Sequence, residues 1–176
     1  MRLNICLAAL AATVAFASPA YAQSVTASAT AEARGLVIQP LTLTKVDDLD
    51  FGTVIASNVA GDVTIDEDTG GRSWTGGVIG VPTAPGNRGL FAGAGTAGQQ
   101  VLMTLTPPAG NVLVSTSNPA DTLVVSNMVL DNGNLLLRTI GATGAFQVGV
   151  GGTFDIAASQ PSGLYAADFD LTAEYQ

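Results

Sequence analysis

Over the last twelve residues, Tyr165, Ala167, Phe169, Leu171, Ala173 and Tyr175 alternate with Asp168, Asp170, Thr172, Glu174 and Gln176. A period of two places the first set on one face of a β-strand and the second set in water. This predicts a strand over 165–175. Near the other end, Val25, Ala27, Ala29, Ala31 and Ala33 alternate with Thr26, Ser28, Thr30, Glu32 and Arg34. The same period predicts a first strand over 25–33, weakened by the modest strand propensity of alanine.

Between these ends the pattern predicts a series of short strands. Val37 to Val46 comes first, with Leu41 and Leu43 on one face and Pro40 marking an edge or a bend. Leu49 to Ile55, Asp62 to Asp66, Gln100 to Thr106, Val112 to Ser115, Thr122 to Ser126 and Met128 to Leu130 follow. Asn132-Gly133 reads as a type I′ hairpin turn into Leu135 to Leu137, because both central residues need positive φ. Gly151-Gly152 reads as a second turn, between Phe146–Val150 and Phe154–Ile156. The loop-rich stretch from Gly70 to Gly86 carries Trp74. Nine or ten short strands with regular turn signals and no amphipathic helix predict an antiparallel sandwich or barrel. No linker or second domain is visible.

Composition narrows the setting. Arg2, the apolar run Ile5 to Ala17 and Ala20-Tyr21-Ala22 read as a secretory signal over 1–22. The expected mature domain is then 23–176, secreted through the periplasm to the cell surface or medium. Its apolar stretches are too short to cross a bilayer as a helix. The one cysteine, Cys6, falls within the signal, so no disulfide is expected beyond it. The formal net charge is −8, and Lys45 is the only lysine. Nucleic acid and anionic membranes are poor partners for such a chain, because both need clustered cations.

Candidate chemistry is sparse. There is no histidine, which removes the commonest general base and metal ligand. Gly93-Ala94-Gly95-Thr96-Ala97-Gly98 matches the dinucleotide-loop spacing, but a strand and not a helix follows it, so it reads as a glycine-rich surface loop. Asp66-Glu67-Asp68 with Thr69, and Asp47, Asp48 and Asp50, offer hard oxygens for Ca²⁺ without the spacing of a calcium loop. Solvated turns are the simpler reading. Paired carboxylates could serve glycoside hydrolysis, but nothing singles out a pair. No enzyme, cofactor or metal is expected. Trp74 is either an exposed platform for a sugar or interface, or a cap on the core.

Leu49-Asp50-Phe51-Gly52, Gly70-Gly71-Arg72, Val150-Gly151-Gly152-Thr153, Gly163-x-Tyr165 and Phe169-x-Leu171-x-x-x-Tyr175-Gln176 resemble the secreted bacterial family known as domain of unknown function 4402. That family is similar in turn to chaperone–usher pilins and spore-coat-protein-U-like pilins. The resemblance implies an immunoglobulin-like β-sandwich that lacks one strand, which the N-terminal extension of the next subunit supplies. By position, the donor strand would carry Val25, Ala27, Ala29, Ala31 and Ala33 within residues 23–34. The strand facing a periplasmic chaperone would carry Tyr165, Phe169, Leu171 and Tyr175. The chain departs from such pilins in lacking a mature disulfide and in its alanine-rich donor face. The expected function is a structural subunit of a surface filament or coat, polymerising with itself or with similar subunits. Alternatively, residues 25–33 complete the sandwich in cis, and the domain binds a glycan or surface polymer through Trp74 and the loop over 86–98.

Overall fold

The computed structural model describes residues 26–176. The expected signal and Val25 lie outside them. The chain divides into two units, one ending at Leu36 and one spanning Val37–Gln176. In the first, residues 26–36 carry no strand and are exposed. The alternation over Ala27–Ala33 therefore forms no strand within this chain. A strand needs a partner to satisfy its backbone groups, and alanine methyls add little apolar burial to hold one.

The second unit holds thirteen strands, more than the nine or ten expected. The first five are β1 (Thr42–Asp47), β2 (Val54–Ile55), β3 (Gly61–Ile65), β4 (Arg72–Trp74) and β5 (Ile79–Gly80). Next come β6 (Gly89–Ala94), β7 (Gln100–Thr106), β8 (Val112–Ser115) and β9 (Thr122–Leu130). The last are β10 (Leu137–Thr139), β11 (Ala145–Ile156), β12 (Tyr165–Ala166) and β13 (Asp170–Tyr175). A large antiparallel sheet runs β1-β6-β11-β9-β8-β12, with β3 also on β11 and β4 on β3. A three-stranded sheet, β10-β7-β13, stacks over part of it, and β2-β5 forms a separate ribbon. The fold is an all-β antiparallel sandwich.

Four local expectations change. Gly151-Gly152 is not a turn: it lies inside the 12-residue β11, the central strand. Glycine is needed there for room, since a Cβ on Gly151 would lie 2.5 Å from both Ile65 O and Glu67 N. The loop after β3 crosses the strand at this point. Asn132 and Gly133 do take positive φ, at 56° and 68°. They join β9 in the large sheet to β10 in the small one, however, so the turn connects layers and closes no hairpin. The two short strands expected over 122–130 are one strand, β9, in which Ser126 is a bulge between the partners of Thr153 and Phe154. Trp74 ends a strand and does not sit in a loop.

The expected C-terminal strand is broken. Tyr165 pairs with Ser115 in the large sheet, whereas Asp170–Tyr175 pairs with β7 in the small one. Ala167-Asp168-Phe169 carries the chain between layers without strand pairing. The alternation survives the break except at Ala167, which is exposed; the other side chains of the set turn toward the interior in both halves. Phe169, Leu171, Ala173 and Tyr175 pack on one core cluster, and Tyr165 packs on another.

Three of the few arginines tie loops down through backbone carbonyls. Arg88 Nη1 donates to Glu67 O at 2.8 Å and also to Asp68 O. Arg138, only 9% exposed, pairs with Asp131 and donates through Nε to Leu135 O at 3.0 Å. Arg72 Nη1 donates to Phe51 O, Thr53 O and Ala84 O at 2.9–3.1 Å, and Nη2 to Val81 O at 2.8 Å.

Candidate functional site

The core is divided. The upper cluster joins Phe91, Leu130, Val148 and Val150 of the large sheet to Val101 and Met103 of β7. The lower cluster gathers Val63, Val78, Leu123, Phe154 and Ile156. The small sheet covers the upper cluster only, and the lower one is covered by the loop residue Phe51 and by Val54 of the short strand β2. Where the small sheet stops, a groove of about 690 Å³ opens between the loop over 48–54 and the crossing segment over 163–169.

Both clusters contribute to its walls. Phe51 meets Phe154 edge-on at 4.6 Å between ring centres, and Phe91 meets Phe169 similarly at 6.0 Å. The first pair belongs to the lower cluster and the second to the upper. All four rings line the groove, together with Leu123, Val125 and Met128. Charge is confined to its edge, in Lys45, Asp48, Asp50 and Asp168. Lys45 Nζ bonds Asp48 Oδ1 at 2.5 Å. That bond, then the Asp48 charge and more weakly Asp168, hold the lysine above its usual pKa. Asp50 Oδ1 accepts the Gly52 amide at 2.8 Å. The lining mixes these aromatic and aliphatic walls with polar and charged groups in about equal measure, and it holds no nucleophile–base pair.

The C-terminal residues singled out from sequence divide around this groove. Tyr165 and Phe169 line it, whereas Leu171 and Tyr175 belong to the upper core beyond it. Tyr165 is fixed by donating to Pro161 O at 2.8 Å, and Gln160 Nε2 donates to its hydroxyl at 3.0 Å. Tyr175 donates to Gln39 O at 2.9 Å and accepts the Thr96 amide at 2.8 Å. Strand β13 lies at the edge of its sheet, so one side of its backbone has no strand beside it. Ala27, Ala29, Ala31 and Ala33 are exposed, and Val25 lies outside the described residues.

Trp74 is 44% exposed and does not line the groove. Its ring lies 5.6 Å from the Arg72 guanidinium carbon and against Gly80, where a Cβ would meet the ring at 2.7 Å. It half-covers Arg72 and leaves the rest of its surface in water.

The acidic turn has an internal role. Asp66 Oδ1 accepts the Thr69 hydroxyl and amide, each at 2.7 Å, and the Asp68 amide at 3.1 Å. These bonds, led by the Thr69 hydroxyl, hold its carboxyl below the usual value. Asp68 Oδ1 accepts the Asn132 amide at 2.7 Å. On the outer face of the large sheet, Asp62 and Asp155 are direct cross-strand partners in a depression of about 340 Å³. Asp62 Oδ2 accepts the Thr75 hydroxyl at 3.0 Å, and Asp155 Oδ1 the Ser126 hydroxyl at 2.9 Å. The Gly93–Gly98 stretch runs from the end of β6 toward β7, strand to strand.

Sequence reasoning missed the groove and the Arg72 clamp. The groove is an absence of cover, which no local pattern encodes. Arg72 acts on carbonyls, which every residue carries. No curated protein and no solved structure matches the chain. The family described as domain of unknown function (DUF4402) matches residues 41–175, nearly all of the second unit, and the chain belongs to that family.

Proposed function

We propose that this chain is an exported structural subunit of a surface filament or coat. It accepts a β-strand in the groove and offers its own N-terminal segment to a neighbour. The observation that carries the reading is the divided core. An extended apolar segment laid beside β13 would pair with its free edge and cover the aromatic walls of both clusters, making one core from two. The unpaired state of residues 26–36 supports the same reading, since that segment fills no gap of its own as a strand. On this reading the signal over 1–22 directs export, and a periplasmic chaperone occupies the groove in transit. No catalysis is assigned.

The test is electrophoresis of the mature protein under denaturing conditions, with and without boiling. Donated strands buried in apolar grooves dissociate slowly, so a ladder of multimers that collapses on boiling is expected. A single monomer band in both lanes, at all protein concentrations, overturns the proposal.

A second reading has one observation in its favour, the exposed part of the Trp74 ring. An aromatic face in water offers a stacking platform to a sugar. A self-complete binding module would lose its glycan-array signal in the Trp74→Ala variant while keeping its melting temperature. An unchanged signal would remove this alternative.

A further inference from the structure

We propose that the side chains filling the groove are Leu36 and Ile38 of a second copy of this chain, and not the alanine face at 27–33. The inference rests on the strand-acceptor reading above.

Size is the first argument. The groove measures about 690 Å³ and is walled by four phenylalanines. Protein interiors are packed without voids, so its occupant has to bring bulk. Ala27, Ala29, Ala31 and Ala33 bring one carbon each. Leu36 and Ile38 bring four each. They are two residues apart, so in an extended chain they share a face.

Their exposure is the second argument. Leu36 is 74% exposed, Val37 94% and Ile38 39%. Leu36 and Val37 thus stand largely in water and Ile38 stays partly open, which is uncommon for consecutive apolar residues unless something covers them. The following residue is fixed: the Gln39 amide donates to Thr96 Oγ1 at 2.6 Å, and Gln39 O accepts the Tyr175 hydroxyl. The apolar residues thus lead directly from a tethered point, and a neighbour that takes them has to abut this subunit.

Charge gives the direction. Arg34 lies two residues before Leu36, on the same extended face. Its bond to Glu32 joins two exposed side chains, a pair of the kind that exchanges easily. The groove edge carries Asp48, Asp50 and Asp168 against Lys45 alone. With Leu36 and Ile38 in the groove, Arg34 reaches that acidic edge. Val37 then faces away, toward solvent.

Two variants separate this assignment from the assembly reading itself. In the Leu36→Ser, Ile38→Ser variant, the boiling-sensitive ladder should fall at least tenfold. In the Ala29→Ser, Ala31→Ser variant it should persist, as it should in Val37→Ser. Leu36 and the alanines are exposed in the subunit, so circular dichroism melting of the monomers checks that folding is intact. A ladder that survives the Leu36/Ile38 change, or one that is lost equally in the alanine variant, overturns the anchor assignment alone. Absence of a ladder in the unsubstituted protein overturns the assembly reading with it. The source of the occupant is read from Leu36→Cys combined with Ala167→Cys, with no other cysteine after the signal. Disulfide-linked multimers are expected; an internally bridged monomer would show that the segment folds back on its own groove.

Discussion

At Arg72 one guanidinium holds four carbonyls from two loops, Phe51–Thr53 and Val81–Ala84, with no carboxylate in the set. A planar fork can do this and an ammonium cannot, because its donors are fixed in one plane and spread over several ångströms. Removing it leaves Phe51 O without its donor and takes the second donor from Thr53 O, Val81 O and Ala84 O, each of which also accepts a backbone amide. Arg72→Ala should cost on the order of 2 kcal/mol, the scale of hydrogen bonds to a charged group. In a domain of this size that lowers the melting temperature by roughly 4–8 °C. Arg72→Lys should recover less than half, and thermal unfolding of both variants checks it. Asp66 makes a prediction of opposite origin. Its carboxyl titrates below the usual value because the Thr69 hydroxyl and amide bind the charged form. A depressed pKa contributes stability that is present above the ordinary carboxylate range and lost as pH falls through the depressed value. Asp66→Asn should therefore flatten the acid limb of the urea midpoint below the ordinary carboxylate range and leave its slope near neutrality unchanged. Neither role was legible beforehand. Asp66 stood out as a candidate ligand because acidic residues cluster there, and only the backbone shows that its oxygen closes a turn.

Strand β11 shows where periodicity succeeds and where it misleads. Val148, Val150, Phe154 and Ile156 are buried on one face, as the alternation predicts. The glycine pair in their midst looked like a turn because glycine most often marks one. Here it marks a backbone crossing, and sequence cannot distinguish the two, since both demand the missing side chain. Gly151→Ala decides between them. In a surface turn the change would be mild. Inside β11 the new Cβ meets Ile65 O and Glu67 N at 2.5 Å, so backbone has to move. The expected loss is about 1–3 kcal/mol or more, read from a urea unfolding midpoint. The C-terminal segment was legible for a related reason. Apart from the exposed Ala167, its inward set stays inward through the change of sheet. What the alternation could not convey was the crossing itself, and the groove opens at that crossing. The Asn132-Gly133 turn repeats the lesson: its φ values follow from residue type, whereas its partners follow from tertiary packing.

At the scale of the whole molecule, the sandwich has unequal layers, and the lower half of the large sheet is covered by the short strand β2 and loop residues in place of the small sheet. A monomer in that condition keeps the aromatic walls of the groove in water, and on the proposed reading that groove links fold to assembly. Association also has to overcome charge. Each chain carries a formal net charge of −8, and four of its six cations are committed to loops or to Asp48. Approaching copies therefore repel at long range, and one contact between Arg34 and the groove edge is too small a term to reverse this. Salt shortens that repulsion, since the Debye length falls from about 30 Å at 0.01 M to about 8 Å at 0.15 M. Once the apolar side chains are seated, little charge is buried, so dissociation should respond weakly. The rate of multimer formation should thus rise several-fold over this range of salt while the rate of ladder decay stays nearly constant. Light scattering follows the first, and timed dilution with unboiled electrophoresis follows the second. A rate of formation that falls with salt would mean that attraction between opposite charges outweighs the net repulsion of the copies.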